Sequence, residues 1–196
     1  MRERWGADGE EGPGYHGRMS ETFRKFLRTL PDFPDDLPEF HPDKAPQDPT
    51  ELFKQWLDEA LDAGERQPHA CSLATVDNAG RPSSRMLILK NIDDDGWHFA
   101  TSRSSRKGRE LDGNPHAALN FYWPSLGRQV RVAGPVVELS ADASARDWAE
   151  RPQADGSENP QWQLYAIRPE ELEFWQASHD RRHIRHRLGA DGERLD

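Results

Sequence analysis

The hydrophobic period changes along the chain, and the changes divide it into parts. Phe23, Phe26, Leu27 and Leu30 recur at helical spacing, after which Pro31, Pro34 and Pro38 keep the backbone extended as far as Pro49. A second helical stripe, Leu52, Phe53, Trp56, Leu57, Ala60 and Leu61, follows a strong start signal at Asp48-Pro49-Thr50-Glu51. There Asp48 is the N-cap, proline takes the first helical position and Glu51 is placed to close a capping box. Such a cap is worth about 1 kcal/mol. Gly64 stands where a left-handed residue ends the helix. This stripe reads as core, not as a cofactor-binding face.

From Ala70 onward alternation with period two takes over. Strands are expected over residues 70–76, 83–90, 97–101, 117–123 and 128–139, with a turn at Asp77-Asn78-Ala79-Gly80 and an acidic turn at Asp93-Asp94-Asp95-Gly96. Ser140 then caps a helix through Trp148, which ends near Arg151-Pro152, and residues 153–160 form a polar loop. Residues 162–167 and 172–175 continue the strands, and residues 183–195 form a last hairpin. The expected fold is mainly β with flanking helices, an antiparallel sheet closed into a small barrel. Three parts result. Residues 1–20, glycine-rich, charged and aperiodic, form a disordered tail, with Met19 a candidate start. Residues 21–47 form an extended arm with a short helix, lying over its own barrel or over a partner's. Residues 48–196 form the barrel domain.

Composition narrows the partners. A net charge of -9 and a pI of about 5.4 argue against nucleic acid or an anionic membrane, since both select positive charge. The single cysteine, Cys71, rules out an internal disulfide and a cysteine metal cluster, and its apolar strand makes it a packed thiol. The sequence has no apolar run long enough to span a bilayer, and the N-terminus has no apolar signal core, so a cytoplasmic protein is expected. Only 34% of residues are hydrophobic against 31% charged, which points to a homodimer whose buried interface completes a modest interior.

Two stretches carry candidate chemistry. The first delivers Arg85 and Lys90 on one strand and Thr101 on the next, which ends in Ser105-Arg106-Lys107. Ser105 can cap a short helix whose free N–H groups, with Arg106 and Lys107, suit a phosphate. Taken alone, a basic run of this length is more often a solvated loop. The second stretch holds Trp175, Arg181, His183 and Arg185. Its three histidines, His179, His183 and His186, do not suggest a metal. On a strand His183 and His186 face opposite ways, and no carboxylate motif accompanies them.

The order of these pieces is more specific than any one of them. Arg85-Met86-Leu87-Ile88-Leu89-Lys90, then Phe99-Ala100-Thr101, Ser105-Arg106-Lys107 and Arg128-Gln129-Val130, resembles the FMN-binding core of the pyridoxine/pyridoxamine 5'-phosphate oxidase family. Trp175, Arg181, His183 and Arg185 fit that family's closing motif at every step. The resemblance runs from about Asp48 to Leu195. It implies a split β-barrel that binds FMN at the interface of a homodimer, with no nucleic acid or membrane as partner. Arg85, Ser105, Arg106 and Lys107 would hold the FMN phosphate. The 86–89 backbone (Met86, Leu87, Ile88, Leu89), with Lys90, Thr101 and Gln129, would line the flavin, and Trp175 and Arg185 would close the site from the other subunit. Lys90, Arg151, Arg181 and His183 would bind the substrate, with Arg181 and His183 as the catalytic pair. The implied reaction moves a hydride from a carbon bearing an amine or alcohol to flavin N5, with oxygen as acceptor.

Two departures from the family's pattern bear on the substrate. Asp147 and Asp155 stand where the family offers a tyrosine and a serine to the substrate's phosphate, and the segment between the Arg151-Pro152 block and the final strands is cut to residues 153–161. These departures keep two alternatives open: an oxidase of secondary metabolism similar to those that finish phenazines, or a non-catalytic flavin-binding protein.

Overall fold

The computed structural model describes residues 15–152 and 154–195. The chain divides into two compact units, residues 1–32 and residues 33–196. In the first, helix α1 (Tyr15–Leu27) starts six residues earlier than the expected arm. The stretch expected as tail therefore contributes its last residues to a helix, while the rest of the tail lies outside the described residues. No proline interrupts the chain between Gly14 and Leu30, so the helical period of Phe23, Phe26 and Leu27 extends backward. Thr29 ends the helix by donating its hydroxyl to the Phe26 carbonyl at 2.7 Å.

The second unit begins at Phe33, so residues 33–47, expected as part of a separate arm, belong to the body of the barrel. Phe40 is buried and meets the Trp56 ring edge-on at 4.9 Å. Within one chain, the segment around Phe40 thus packs on its own barrel. Helix α2 (Pro49–Asp62) has Asp48 as its N-cap as expected, the carboxylate accepting from Thr50 N–H at 2.8 Å, but Glu51 accepts from Lys54 Nζ at 2.7 Å and does not close the capping box. Leu52, Phe53, Trp56 and Ala60 are buried. Each large side chain among them is worth about 1.5–3 kcal/mol of burial. Phe53 packs against Trp97 at 4.5 Å and Phe121 at 4.9 Å, which fixes the helix on the sheet. Leu61, assigned to that stripe, is 55% exposed, while Ala60 beside it is fully buried, so the buried arc is narrower than the stripe.

Among the described residues the sheet has nine strands. They are β1 (Ala70–Val76), β2 (Pro82–Ile88), β3 (Asn91–Asp93), β4 (Gly96–Ser102), β5 (His116–Trp123), β6 (Arg128–Glu138), β7 (Trp162–Ile167), β8 (Glu171–Gln176) and β9 (Ile184–Leu188). The acidic turn is tighter than expected, since Asn91–Asp93 pair with β4 and leave Asp94-Asp95 as a two-residue loop. The main path runs β2-β1-β5-β6-β7-β4-β3, with β8 and β9 branching from β6. The path leaves β2 and β3 as edges, so the strands curl into a half-barrel, the split barrel that the resemblance implies and not the closed one that alternation alone suggests. β6 is the shared strand: residues 128–133 pair with β8 and residues 136–138 with β7, while β5 follows its other side. Gly134 sits at the changeover, where a Cβ would strike the Arg168 carbonyl. Helices α3 (Arg106–Gly113) and α4 (Ala141–Ala149) flank the sheet, capped as expected by Ser105 and Ser140. No described helix is long and apolar enough to cross a membrane.

Candidate functional site

The first cluster forms where β1, β2 and α3 meet. Odd residues of β1 and β2 point into the half-barrel, so Thr75, Ser83 and Arg85 share its inner face. Arg85 donates to the Leu73 carbonyl at 3.2 Å, to Thr75 Oγ1 at 2.5 Å and to Ser83 Oγ at 2.5 Å. Beneath it lies Glu110, buried on α3. Its carboxylate accepts from Thr75, Ser83 and Arg85 through one oxygen and from Arg106 Nε at 2.7 Å through the other. These bonds, Thr75's foremost, hold the carboxyl down to about 2 against an ordinary 4.5. Burial, with Arg85 nearby, lowers the Lys107 ammonium.

Ser105 Oγ accepts from Gly108 N–H at 3.1 Å and lies 3.1 Å from Thr101 Oγ1. The turn into α3 is close enough that Gly108 is obligatory: a Cβ would come within 2.5 Å of the Arg103 carbonyl and 2.7 Å of that of Ser102. Thus Arg85, Thr101, Ser105, Arg106 and Lys107 do converge, linked by hydroxyls and by Glu110. Glu110, Thr75 and Ser83 escaped the sequence reading. The one available signal was the spacing of Arg106 and Glu110, four apart on a helix. Arg85 and Arg106 pair with Glu110, and Lys107 lies near Arg85, so these four groups sum to two positive charges at the helix N-terminus, where first-turn N–H groups lack helical acceptors. Such a donor set fits a phosphate dianion. The 86–89 backbone beside it lies at the β2 edge, with Met86 67% exposed.

The second cluster occupies the other face. Gln129, Trp175 and Arg185 lie side by side across β6, β8 and β9, Gln129 opposite Trp175 and Trp175 opposite Arg185. All three alternate with buried neighbours and so point outward. His183 precedes β9 and does not lie on it. Its ring centroid is 4.8 Å from that of Trp175, and its Nδ1 accepts from Ser178 N–H at 3.0 Å, which puts the proton of the neutral ring on Nε2. Arg181 adopts a left-handed backbone, φ 65°, in the turn that Asp180 secures by accepting from Arg182 N–H. Phe33 closes over Trp175 and His183, with centroids at 6.0 and 6.1 Å.

Arg85 and Trp175 therefore lie on opposite faces of the sheet and four strands apart, a separation of about 19 Å for flat spacing. Lys90 and Arg151 form a third group. Lys90 Nζ lies 3.4 Å from Asp147 Oδ1, and Arg151 stacks its guanidinium 3.2 Å from the centre of the Trp148 ring. One chain thus holds three separate groups of the expected site residues.

Residues 57–176 match the pyridoxamine 5'-phosphate oxidase family, and residues 162–194 match the pyridoxine 5'-phosphate oxidase C-terminal dimerisation region. The chain is 39% identical to a pyridoxine/pyridoxamine 5'-phosphate oxidase of Salinibacter ruber, over 73% of its own length and 83% of the relative's. It is 41% identical to one of Cupriavidus taiwanensis, over 73% and 82%. Among solved structures it is similar to PhzG of Burkholderia lata in complex with tetrahydrophenazine-1-carboxylic acid, with a TM-score of 0.73 and 32% identity over 82% of this chain and 98% of that one. A pyridoxamine 5'-phosphate oxidase-related, FMN-binding protein of Nostoc punctiforme, at 17% identity and a TM-score of 0.53, shares the fold.

Proposed function

The chain belongs to the pyridoxamine 5'-phosphate oxidase family, and from that premise we propose that it is an FMN-dependent oxidase working as a homodimer. The observation that carries the cofactor is the net dipositive cradle at the start of α3, suited to a terminal phosphate. The sequence contains no glycine-rich dinucleotide fingerprint, which favours FMN over FAD. Arg85, Ser105, Arg106 and Lys107 would hold the phosphate. The 86–89 backbone would meet the polar edge of the flavin, with Thr101 and Gln129 alongside.

A homodimer explains the separation of the clusters. Trp175 and Arg185 face away from the cradle of their own chain, and they fall within residues 162–194, the matched dimerisation region. A second copy would bring its Trp175 and Arg185 to the first copy's cradle. Exposed Met86, Ile88 and Tyr122 on the outer face are consistent with such an interface.

Bound FMN would accept a hydride from the substrate carbon that bears an amine or alcohol, and oxygen would then take the electrons to give hydrogen peroxide. The protein's part is placement. Arg181 and His183 would hold the substrate, His183 presenting its Nε2 donor because Ser178 occupies Nδ1. Trp175 and Phe33 wall the His183 ring and exclude water from that side. This scheme assigns no strong base.

The likeness to PhzG at 32% identity supports a second assignment within the same chemistry, an oxidase of secondary metabolism. One assay on purified protein tests the proposal: a yellow protein that releases peroxide on addition of an amine substrate supports it. A yellow but silent protein would be a flavin carrier, and a colourless one that takes up no FMN would refute the cofactor assignment.

A further inference from the structure

The two aspartates that depart from the family's pattern behave differently in the structure. Asp155 is exposed and accepts from the backbone N–H and the hydroxyl of Ser157, at 2.9 and 2.6 Å, within its own turn. Asp147 faces inward. Its Oδ1 lies 3.4 Å from Lys90 Nζ, and its Oδ2 accepts from Trp162 Nε1 at 2.7 Å. The two side chains are only 22% and 13% exposed, so solvent screens the pair poorly. Lys90 also lines a cavity of about 380 Å³, whose wall includes Asp93, Asp95, Asp147 and Glu150 against Arg146 and the His98 imidazole, which lies 2.8 Å from Asp93 Oδ1.

Resting on the oxidase assignment above, we infer that the recess beside Lys90 accepts a substrate end without a phosphate, an uncharged hydroxyl or an amine, and that Asp147 sets this preference. A phosphate approaching Lys90 meets a carboxylate already in the ion pair, and like charges at that range repel. The carboxylate cannot swing aside without giving up its bond from the Trp162 indole. The other cation expected to help an anion, Arg151, lies against the faces of Trp148 and Trp162, at 3.2 and 5.0 Å, and donates Nε to the Trp148 carbonyl. A hydroxyl can instead accept from Lys90 while donating to Asp147, and an ammonium can pair with Asp147 directly.

The test compares pyridoxamine with pyridoxamine 5'-phosphate on the FMN-loaded protein, by the ratio of kcat/KM and by the perturbation of flavin absorbance on binding. Wild type is expected to favour pyridoxamine. Asp147→Asn keeps the shape and an acceptor for Trp162, and should move the ratio about ten- to hundredfold toward the phosphate ester. Asp155→Asn should leave the ratio where it was. A wild-type preference for the phosphate ester, or a ratio that Asp147→Asn does not move, overturns the inference while leaving the oxidase assignment intact. Failure of the preparation to take up FMN refutes the oxidase assignment and the inference with it.

Discussion

The cradle at α3 and the row on β6, β8 and β9 are built on opposite principles. In the cradle the charged groups other than Lys107 are bonded within the chain: Glu110 gathers Arg85, Arg106, Thr75 and Ser83, and Ser105 ties the helix start to Thr101. In the row, Gln129, Trp175 and Arg185 are aligned by strand register alone and project from the outer face. A site whose geometry is fixed by buried hydrogen bonds can bind before its partner arrives. A row on a sheet surface gains its function from whatever is laid against it. The difference implies a division of labour in which the cradle supplies affinity for the phosphate and the row supplies closure by a second subunit.

The largest change is expected on subunit mixing. Lys107→Ala should lose a charge-assisted contact worth about 1.5–3 kcal/mol, weakening FMN binding tenfold to a hundredfold, and Arg185→Ala should impair the same site from the other subunit. Mixing the two variants should restore about one good site per heterodimer, read by flavin fluorescence titration. Absence of recovery would show that the cradle and the row do not share a ligand across subunits.

Next in size is Gly108→Ala. The added Cβ meets two backbone carbonyls that cannot retreat without moving the start of α3, so a loss of about 1–3 kcal/mol is expected by thermal or denaturant unfolding. FMN affinity should fall with it. An alanine at Arg185 should leave the unfolding of the subunit itself almost unchanged, as exposed positions usually do.

Glu110→Gln tests the cradle through pH. The folded carboxyl titrates near 2 and the unfolded one near 4.5, so its contribution is complete above about pH 4.5 and is lost as pH falls toward 2. Wild type should therefore exceed the variant in unfolding midpoint at pH 7, and the two should converge toward pH 2. A constant gap across that window would mean that Glu110's charge does not organise the cradle.

The sequence resolved these two regions unequally, for a physical reason. Period-two alternation located most of the strands, and the caps at Asp48, Ser105 and Ser140 are local chemistry, visible within four residues. The basic residues of the cradle also showed, because they cluster along the chain. Glu110 did not, since its role depends on β1 and β2 lying beneath α3, and Thr75 is 35 residues away. The Lys90 to Asp147 pair spans a still longer separation, so the position of Asp147 was noticed while the direction of its side chain was not. The exchange of partners by β6 at Gly134 was illegible too, because it is a property of pairing and not of the strand itself.

Cys71 serves as a reporter for the inner face. Cys71 is buried on β1, on the same face as Thr75, and burial pushes its thiol up to about 12. The buried thiol therefore stays protonated at pH 8, and a thiol reagent should label the folded protein slowly and only through opening of that layer. If the cradle binds FMN, opening β1 must release the ligand, and FMN at a hundredfold excess over its Kd should slow labelling by about a hundredfold. Arg185→Ala with no FMN present should leave the rate unchanged, since the row stands on the other face. Labelling that is slow but indifferent to FMN would place the opening elsewhere and show that the cradle does not hold the ligand through β1.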